Sequence, residues 1–314
     1  MLSDYLPMNS EVLHFIKVLS WSLKARRHRF RIAHILGENI VKVLGGIKDI
    51  EIVADPASAD IVLVNTNSLS DSMDYFVKGL SKHTLLVVLN IIADINKRPE
   101  LIKELGLAGF TKSILPINGG IAIALKRGYN VNFFKKTVEV YRESFIYGPN
   151  PIDYNTASAL YILAKFITAR RKGTIVEIGT GRGFSTLWLA HAAKETGLHV
   201  ISLDNKCDRV DYALKVLKTL NLDDHVEILC IDAKSYDHGS KDVVYVFIDG
   251  KKDEYHQYLK ALEPYLLPGA LILAHNTISD AHTIKPYIEK VYAKPYKSIT
   301  IATDPKGLTI SVYI

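Results

Sequence analysis

The stretch Thr174–Ala190, T-I-V-E-I-G-T-G-R-G-F-S-T-L-W-L-A, constrains the fold more than any other part of the chain. Thr174, Ile175, Val176 and Ile178 are strand formers in a short apolar run. Gly179, Gly181 and Gly183 then allow a tight turn and bring bare backbone close to a ligand. Ser185 and Thr186 are expected caps for a helix carrying Leu187, Trp188, Leu189 and Ala190. Such a helix start offers free N–H groups and the positive end of a dipole. The spacing is G-x-G-x-G. It is neither the G-x-G-x-x-G of dinucleotide folds nor a P-loop, which needs Gly-Lys-Ser/Thr. Alone, it also suits a plain strand-to-helix turn.

Its surroundings narrow the choice. His199–Leu203 reads as a strand ending in Asp204-Asn205, Val226–Ile231 as one ending in Asp232-Ala233, and Val243–Ile248 as one ending in Asp249-Gly250. Three successive strands thus end in an acid, at the carboxyl edge where open α/β sheets bind ligands. An acid at the first of these ends can accept hydrogen bonds from both hydroxyls of a ribose.

Val176–Ala190, Ile201–Asn205, Cys230–Ala233 and Phe247–Gly250 resemble the successive motifs of class I S-adenosylmethionine-dependent methyltransferases. The resemblance covers roughly residues 131–314 and implies an α/β, Rossmann-like sheet of seven strands, mostly parallel with the last antiparallel. It implies that Gly179, Thr180, Gly181 and Gly183 border the amino-acid end of S-adenosylmethionine, with Ser185 at the helix start and Glu177 supporting the loop. Asp204 with Asn205 would hold the ribose, Asp232 with Ala233 would lie by the adenine, and Asp249 would also belong to the cofactor-binding set.

The expected domains are 1–130, an N-terminal α/β domain, and 131–314, the methyltransferase domain with its linker helix 131–150. In the first, helices are expected over 11–30 and Ile32–Leu44, and strands over Ile50–Ala54, Ile61–Asn65, Thr84–Asn90, Thr111–Pro116 and Ile121–Lys126. Helices are also expected at Met73–Leu80 and Pro99–Leu105, and Asn118, Gly119 and Gly120 supply the last turn. This string matches the later one piecewise: 47–55 with 223–232, 59–64 with 241–246, 75–80 with 257–262, 85–90 with 271–276, 112–114 with 297–299 and 120–125 with 307–312. It reads as a degenerate partial copy of the methyltransferase sheet, although apolar strands repeat cheaply. No glycine loop precedes it, no strand-plus-acid matches Asp204, and about Asn67 faces Asp249. A scaffold, dimerisation or substrate-presenting role follows, and a homodimer is expected.

In the second domain, helices are expected over 131–150 and Asn155–Thr168, with Thr283 capping one that carries Pro286 in its first turn. Tyr147, Tyr154 and Asn155 are candidates for ligand contact, packing being the plainer role for the tyrosines. Tyr296–Ile301 and Leu308–Tyr313 form a terminal hairpin.

A hydrophobic share of 48% and a charged share of 23% over 314 residues are globular values and exclude a disordered chain. No apolar run approaches roughly 18 residues, so no membrane helix is expected. The start, MLSDYLPMNSEVLHF, lacks a secretory layout. With two cysteines, Cys207 opening a helix and Cys230 in a strand, a disulfide is not expected and a reducing cytoplasm is. Gln257 is the sole glutamine, which fits a thermophile. The formal charge is +6, with Lys24, Arg26, Arg27, Arg29 and Arg31 close together and Arg170, Arg171 and Lys172 in a second cluster. Both suit a phosphate-binding face for nucleic acid, and more simply a solvated helix face and a loop.

F-I-D-G-K-K-D-E-Y (247–255) and L-I-L-A-H-N-T (271–277) resemble the metal-dependent catechol and caffeoyl-CoA O-methyltransferases. By that resemblance Asp249, His275 and Asn276 would hold a divalent cation, Mg²⁺ or Mn²⁺, and Lys252 would be the base. The catalytic set is Asp249, Lys252 and His275. His275 stands where the family has aspartate. Imidazole favours Mn²⁺, Fe²⁺ or Zn²⁺ over Mg²⁺; alternatively His275 is itself the base and no metal binds. The expected activity is methyl transfer to a hydroxyl of a small molecule. One alternative is an RNA or tRNA methyltransferase gripping phosphates with Lys24–Arg31; the other is a non-catalytic cofactor-binding or assembly protein.

Overall fold

A computed structural model describes residues 10–23, 30–35, 50–65, 79–89, 91, 98–117 and 120–314. The chain divides into two compact units, Met1–Arg127 and Gly128–Ile314.

The first unit runs α1 (Ser10–Leu23), β1 (Phe30–Ile35), β2 (Ile50–Ile52), β3 (Ile61–Asn65), β4 (Leu85–Leu89), α2 (Arg98–Leu107), β5 (Phe110–Leu115) and β6 (Ile121–Lys126). Its six strands lie in the order β2-β1-β3-β4-β6-β5. Only β6 runs against its neighbours. Val62, Val64, Leu86 and Val88 pack with Leu101, Leu105, Ala122 and Ala124 in its core. The expected helix over Ile32–Leu44 is corrected: Ile32–Ile35 belongs to β1, paired in parallel with β2 and β3. Phe30, expected at a helix end, opens the same strand. The run F-R-I-A-H-I puts Phe30 and Ile32 in the core, and β-branched residues between two strands favour the pleated state. The expected helix Met73–Leu80, the residue Asn67, the turn residues Asn118 and Gly119, and the basic residues 24–29 fall wholly or mainly outside the described residues.

The second unit runs α3 (Val131–Tyr147), α4 (Tyr154–Thr168), β7 (Thr174–Ile178), α5 (Phe184–Thr196), β8 (His199–Asp204), α6 (Cys207–Thr219), β9 (Val226–Cys230), β10 (Val243–Ile248), α7 (Tyr255–Leu262), β11 (Leu266–His275), α8 (Lys285–Val291), β12 (Tyr296–Ile301) and β13 (Leu308–Tyr313). The sheet order is β12-β13-β11-β10-β7-β8-β9, with β13 antiparallel to both neighbours, as the resemblance implied. Strand β10 is V-V-Y-V-F-I with every residue buried. That unbroken apolar run is what a parallel strand covered on both faces requires. Order reverses between β7 and β10, so the carboxyl ends of β7, β8, β10 and β11 open on a switch point.

Two capping expectations fail. Helix α5 follows Gly183, which sits in the left-handed region at φ 84° and gives no side-chain cap. Ser185 and Thr186 lie inside the helix, and Thr186 bonds elsewhere. Helix α8 follows Ile284, not a capping Thr283, and Pro286 is in its first turn. The cysteines also depart from expectation. Cys207 and Cys230 form a disulfide, with Cα atoms 5.2 Å apart. The register explains it: Cys230 pairs with Asp204 across β8 and β9, so the helix that starts three residues after Asp204 brings Cys207 back over its neighbour.

Candidate functional site

The glycine loop is built by contacts that leave no room for side chains. Gly179 has φ 102°, and a Cβ there would lie 2.5 Å from the Asp249 carbonyl oxygen. The loop can therefore lie flat on the end of β10 only as glycine. Below it, Glu177 is fully buried. Its Oε2 accepts hydrogen bonds from Thr186 Oγ1 and Ser202 Oγ, both at 2.6 Å, and Thr180 Oγ1 shares a bond with Ser202 Oγ at 2.6 Å. Burial pushes the Glu177 carboxyl up to about 7 against those bonds. Its Oε1 is sealed from solvent with no hydrogen-bond partner.

Asp204 ties the loop to the next strand. Its Oδ2 accepts from the Gly181 N–H at 2.9 Å and its Oδ1 from the Lys206 N–H at 3.0 Å. Each oxygen keeps a second lone pair, so a ribose is still within its hydrogen-bonding capacity. Asp232 Oδ1 accepts from the Lys234 N–H at 3.0 Å, and Ala233 beside it is buried. From the other side, α3 reaches over the loop. Glu143 accepts from Tyr212 Oη and pairs with Arg182 at 3.4 Å, while the Arg182 guanidinium stacks 3.7 Å from the Tyr212 ring centre.

These elements enclose a cavity of about 570 Å³. Gly179, Thr180, Gly181, Ser185, Asp204, Asn205, Asp232, Ala233 and Asp249 all line it, with Lys252 and Asn276. Glu177, Gly183 and His275 are not among its lining residues; the first two hold the loop and the third lies behind Asp249. The size and the mixture of apolar walls with a few fixed polar groups are those of a small-molecule site. The ligand-contact candidates on the linker do other work. Asn155 donates to the Thr303 carbonyl at 2.7 Å, Tyr154 packs on Phe184 and Tyr141, and Tyr147 is exposed beneath Arg182.

At the end of β10 and β11 the charged groups alternate. Lys252 Nζ donates to Asp249 Oδ1 at 2.7 Å, to Tyr255 Oη at 3.1 Å and to the Gly250 carbonyl at 3.2 Å. On the far side of Asp249, His275 Nδ1 lies 3.4 Å from Oδ2, sealed from solvent and without a hydrogen bond of good geometry. His275 Nε2 is 2.8 Å from Asp304 Oδ2. Asp304 was missed in the sequence, where D-P-K-G marks only a hairpin turn. It is also bonded by Thr156 Oγ1 at 3.1 Å and by the Lys306 and Gly307 N–H groups at 2.9 and 3.0 Å. Burial alone would lower the His275 value, but Asp249 and Asp304 overcome it and lift the imidazole to about 9. Burial likewise works to raise Asp304, yet His275 and the backbone N–H groups hold it at about 2. Asp249, which burial would raise, is held below the ordinary range by Lys252 and His275.

Residues 176–277 match the family model described as a methyltransferase domain. The chain is 29% identical over 135 residues to the catechol O-methyltransferase of Niastella koreensis, which covers 41% of this chain and 59% of that one. It is 33% identical over 123 residues to the catechol O-methyltransferase of Mycobacterium tuberculosis, covering 38% and 53%. Against the caffeoyl-CoA O-methyltransferase of Medicago sativa it is 29% identical over 138 residues, covering 40% and 53%. The chain thus spans little more than half the length of these relatives. Among solved structures it is similar to the SAH-bound Podospora anserina methyltransferase PaMTH1, with 16% identity, a TM-score of 0.50, and 57% of this chain and 88% of that one covered. It is equally similar to the cofactor-bound Rv0187 from MTB, with 21% identity, a TM-score of 0.50, and coverages of 59% and 90%. Residues 176–277 thus match a methyltransferase-domain model, and the second unit has the fold of these solved methyltransferases, as the motif resemblance implied.

Proposed function

We propose that the second unit transfers the methyl group of S-adenosylmethionine to a hydroxyl of a small molecule. The observation that supports this best is the glycine loop braced by Asp204 above a cavity of about 570 Å³. These groups suit the cofactor: Gly179–Gly181 by its amino-acid end, Asp204 and Asn205 by the ribose, Asp232 and Ala233 by the adenine. When bound, the cofactor supplies a methyl group on a sulfonium that is its own leaving group. What remains for the protein is alignment of the acceptor and removal of its proton.

Lys252 is the group at the cavity placed for that proton. To act as the base, Lys252 must first release its own proton to solvent; the proton then taken from the acceptor makes an ammonium that Asp249, Tyr255 and the Gly250 carbonyl stabilise. His275 is not a free base beside it, since carboxylates face both ring nitrogens. The relatives' names, catechol and caffeoyl-CoA O-methyltransferase, support a small hydroxylated acceptor for this chain. The nucleic-acid reading rests on Lys24–Arg31, of which the structure describes only Phe30 and Arg31 in β1, and on Arg170–Lys172, where Arg171 is buried and donates to the Pro268 carbonyl at 2.6 Å and Arg170 lies over the Phe166 ring; the cavity adds no support. Among the described residues no helix is long and apolar enough to cross a membrane. We place the chain in a cytoplasm of the hyperthermophilic kind, where disulfides persist, in keeping with its single glutamine.

The test is calorimetric titration of S-adenosylmethionine into the wild type and Asp204→Ala. The wild type should bind one equivalent, and the variant, losing both the ribose acceptor and the brace on Gly181, should bind at least about tenfold more weakly, the effect of roughly 1.4 kcal/mol. A folded wild type that takes no cofactor sinks the reading.

A further inference from the structure

We infer that the end of β10 and β11 does not take a divalent cation, and that His275, bridging Asp249 and Asp304, occupies the place where the O-methyltransferase resemblance puts a metal. This inference rests on the methyltransferase reading only for the site's purpose; the donor chemistry stands by itself.

A hard cation such as Mg²⁺ or Mn²⁺ needs several oxygen ligands with free lone pairs, carboxylates first. Of the three candidate ligands here, only Asp249 is a carboxylate. Its Oδ1 is held at 2.7 Å by the Lys252 ammonium, and its Oδ2 faces His275 Nδ1 at 3.4 Å. Imidazole can ligate only through a ring nitrogen that bears no proton. In His275 each nitrogen confronts a carboxylate, Nε2 at 2.8 Å from Asp304 and Nδ1 at 3.4 Å from Asp249. His275 is 1% exposed, so no water relieves either contact. Neither nitrogen is open to the cavity, since His275 is not among the residues that line it. The third candidate, Asn276, has a left-handed backbone at φ 61° and directs its Nδ2 to Asp280 at 3.2 Å and Ser279 at 3.4 Å. The residues present therefore do not fit a divalent ion.

The same contacts say what His275 does. Asp304, His275, Asp249 and Lys252 form a chain of alternating charge that runs from the β12–β13 turn to the cavity. The turn is rigid where it begins, because two backbone N–H groups and Thr156 fix Asp304. His275 and Asp304 are thus positioning residues: they fix the Asp249 carboxylate, which fixes Lys252. A fixed organic cation performs the orienting and neutralising task that a metal performs elsewhere.

Titration of Mn²⁺ into the cofactor-free protein, followed by electron paramagnetic resonance, tests this without reference to cofactor binding. The wild type should show no saturable site, and Zn²⁺ followed by calorimetry should agree. His275→Asp removes the imidazole and restores a second carboxylate, so it should gain one saturable Mn²⁺ site, lost again when Asp249→Asn is added. One equivalent bound by the wild type and abolished in Asp249→Asn overturns the inference. So does a folded His275→Asp that gains no site, since the imidazole is then not what excludes the ion. Should His275→Asp not fold, the wild-type titrations decide alone: saturable binding overturns the inference and its absence supports it.

Discussion

Two glutamates in the second unit, Glu177 fully buried and Glu195 half-buried, carry opposite pH dependences. Glu177 has only hydroxyl donors, and burial raises it from 4.5 to about 7. The folded state therefore holds its proton more tightly than the unfolded chain. Its contribution to stability is full below about 4.5 and is lost as pH rises through about 7. Glu195 is also penalised by burial, but His191, Lys165 and Tyr161 override that and hold it at about 2. Its contribution is full above about 4.5 and is lost as pH falls through about 2. Each shift corresponds to roughly 3 kcal/mol. Glu177→Gln should remove the fall in stability between pH 4.5 and 7, read as the difference in urea midpoint from the wild type across that range. A difference that does not change with pH would mean Glu177 is already ionised in the fold. Glu195→Gln should cost about 3–5 kcal/mol at neutral pH, because Lys165, 1% exposed, then keeps a buried charge without its carboxylate. A variant with an unchanged urea midpoint would count against that pairing.

Among the elements, the clearest lesson is which signals a linear sequence carries. Strands β3 and β10 fall where apolar runs place them, because burial on both faces of a parallel sheet writes itself into consecutive residues, and the antiparallel strands β6, β12 and β13 fall where apolar runs and turn residues bound them. Strand β1 was misread because F-R-I-A-H-I leads into a longer apolar pattern with helical spacing, and only its neighbours β2 and β3 make it a strand. The acids at strand ends were legible for the same reason as the strands. Asp304 was not, since a turn aspartate signals only a turn until the hairpin folds back on β11. The Cys207–Cys230 bridge likewise depends on register, 23 residues apart in sequence but adjacent across β8 and β9. It joins the start of α6, just after Asp204, to the end of β9, just before Asp232, the two acids assigned to ribose and adenine. Closing a loop of that length is worth about 3 kcal/mol through the unfolded state. Cys230→Ser should lower the second unit's stability by about that amount in non-reducing urea titrations. Equal midpoints for the wild type with and without reductant would show that the bridge contributes nothing.

At the scale of the whole molecule, the two sheets share an order. Reading from one edge, β5-β6-β4-β3-β1-β2 matches β12-β13-β11-β10-β7-β8, with the sole antiparallel strand, β6 or β13, in second place. We read the first unit as a degenerate copy with one strand fewer among its described residues. The segment around β2 matches 223–232 in sequence, yet β2 lies beside β1 where β8 lies beside β7. On that reading, the counterpart of the strand ending in Asp204 is the one with no match among the described residues of the first unit. Each unit has its own core, Val62, Leu86 and Leu105 in one and Val246, Ile272 and Tyr287 in the other. Every residue lining the cavity lies between Ser144 and Lys306, all within the second unit. A chain of residues 128–314 should therefore fold by itself and bind S-adenosylmethionine within about threefold of the full chain's Kd, a difference under roughly 0.7 kcal/mol. Calorimetry on the two chains side by side measures this. Tight binding by the full chain and none by a folded 128–314 would mean that the first unit completes the site, and its reading as a copy without cofactor chemistry would fall with it.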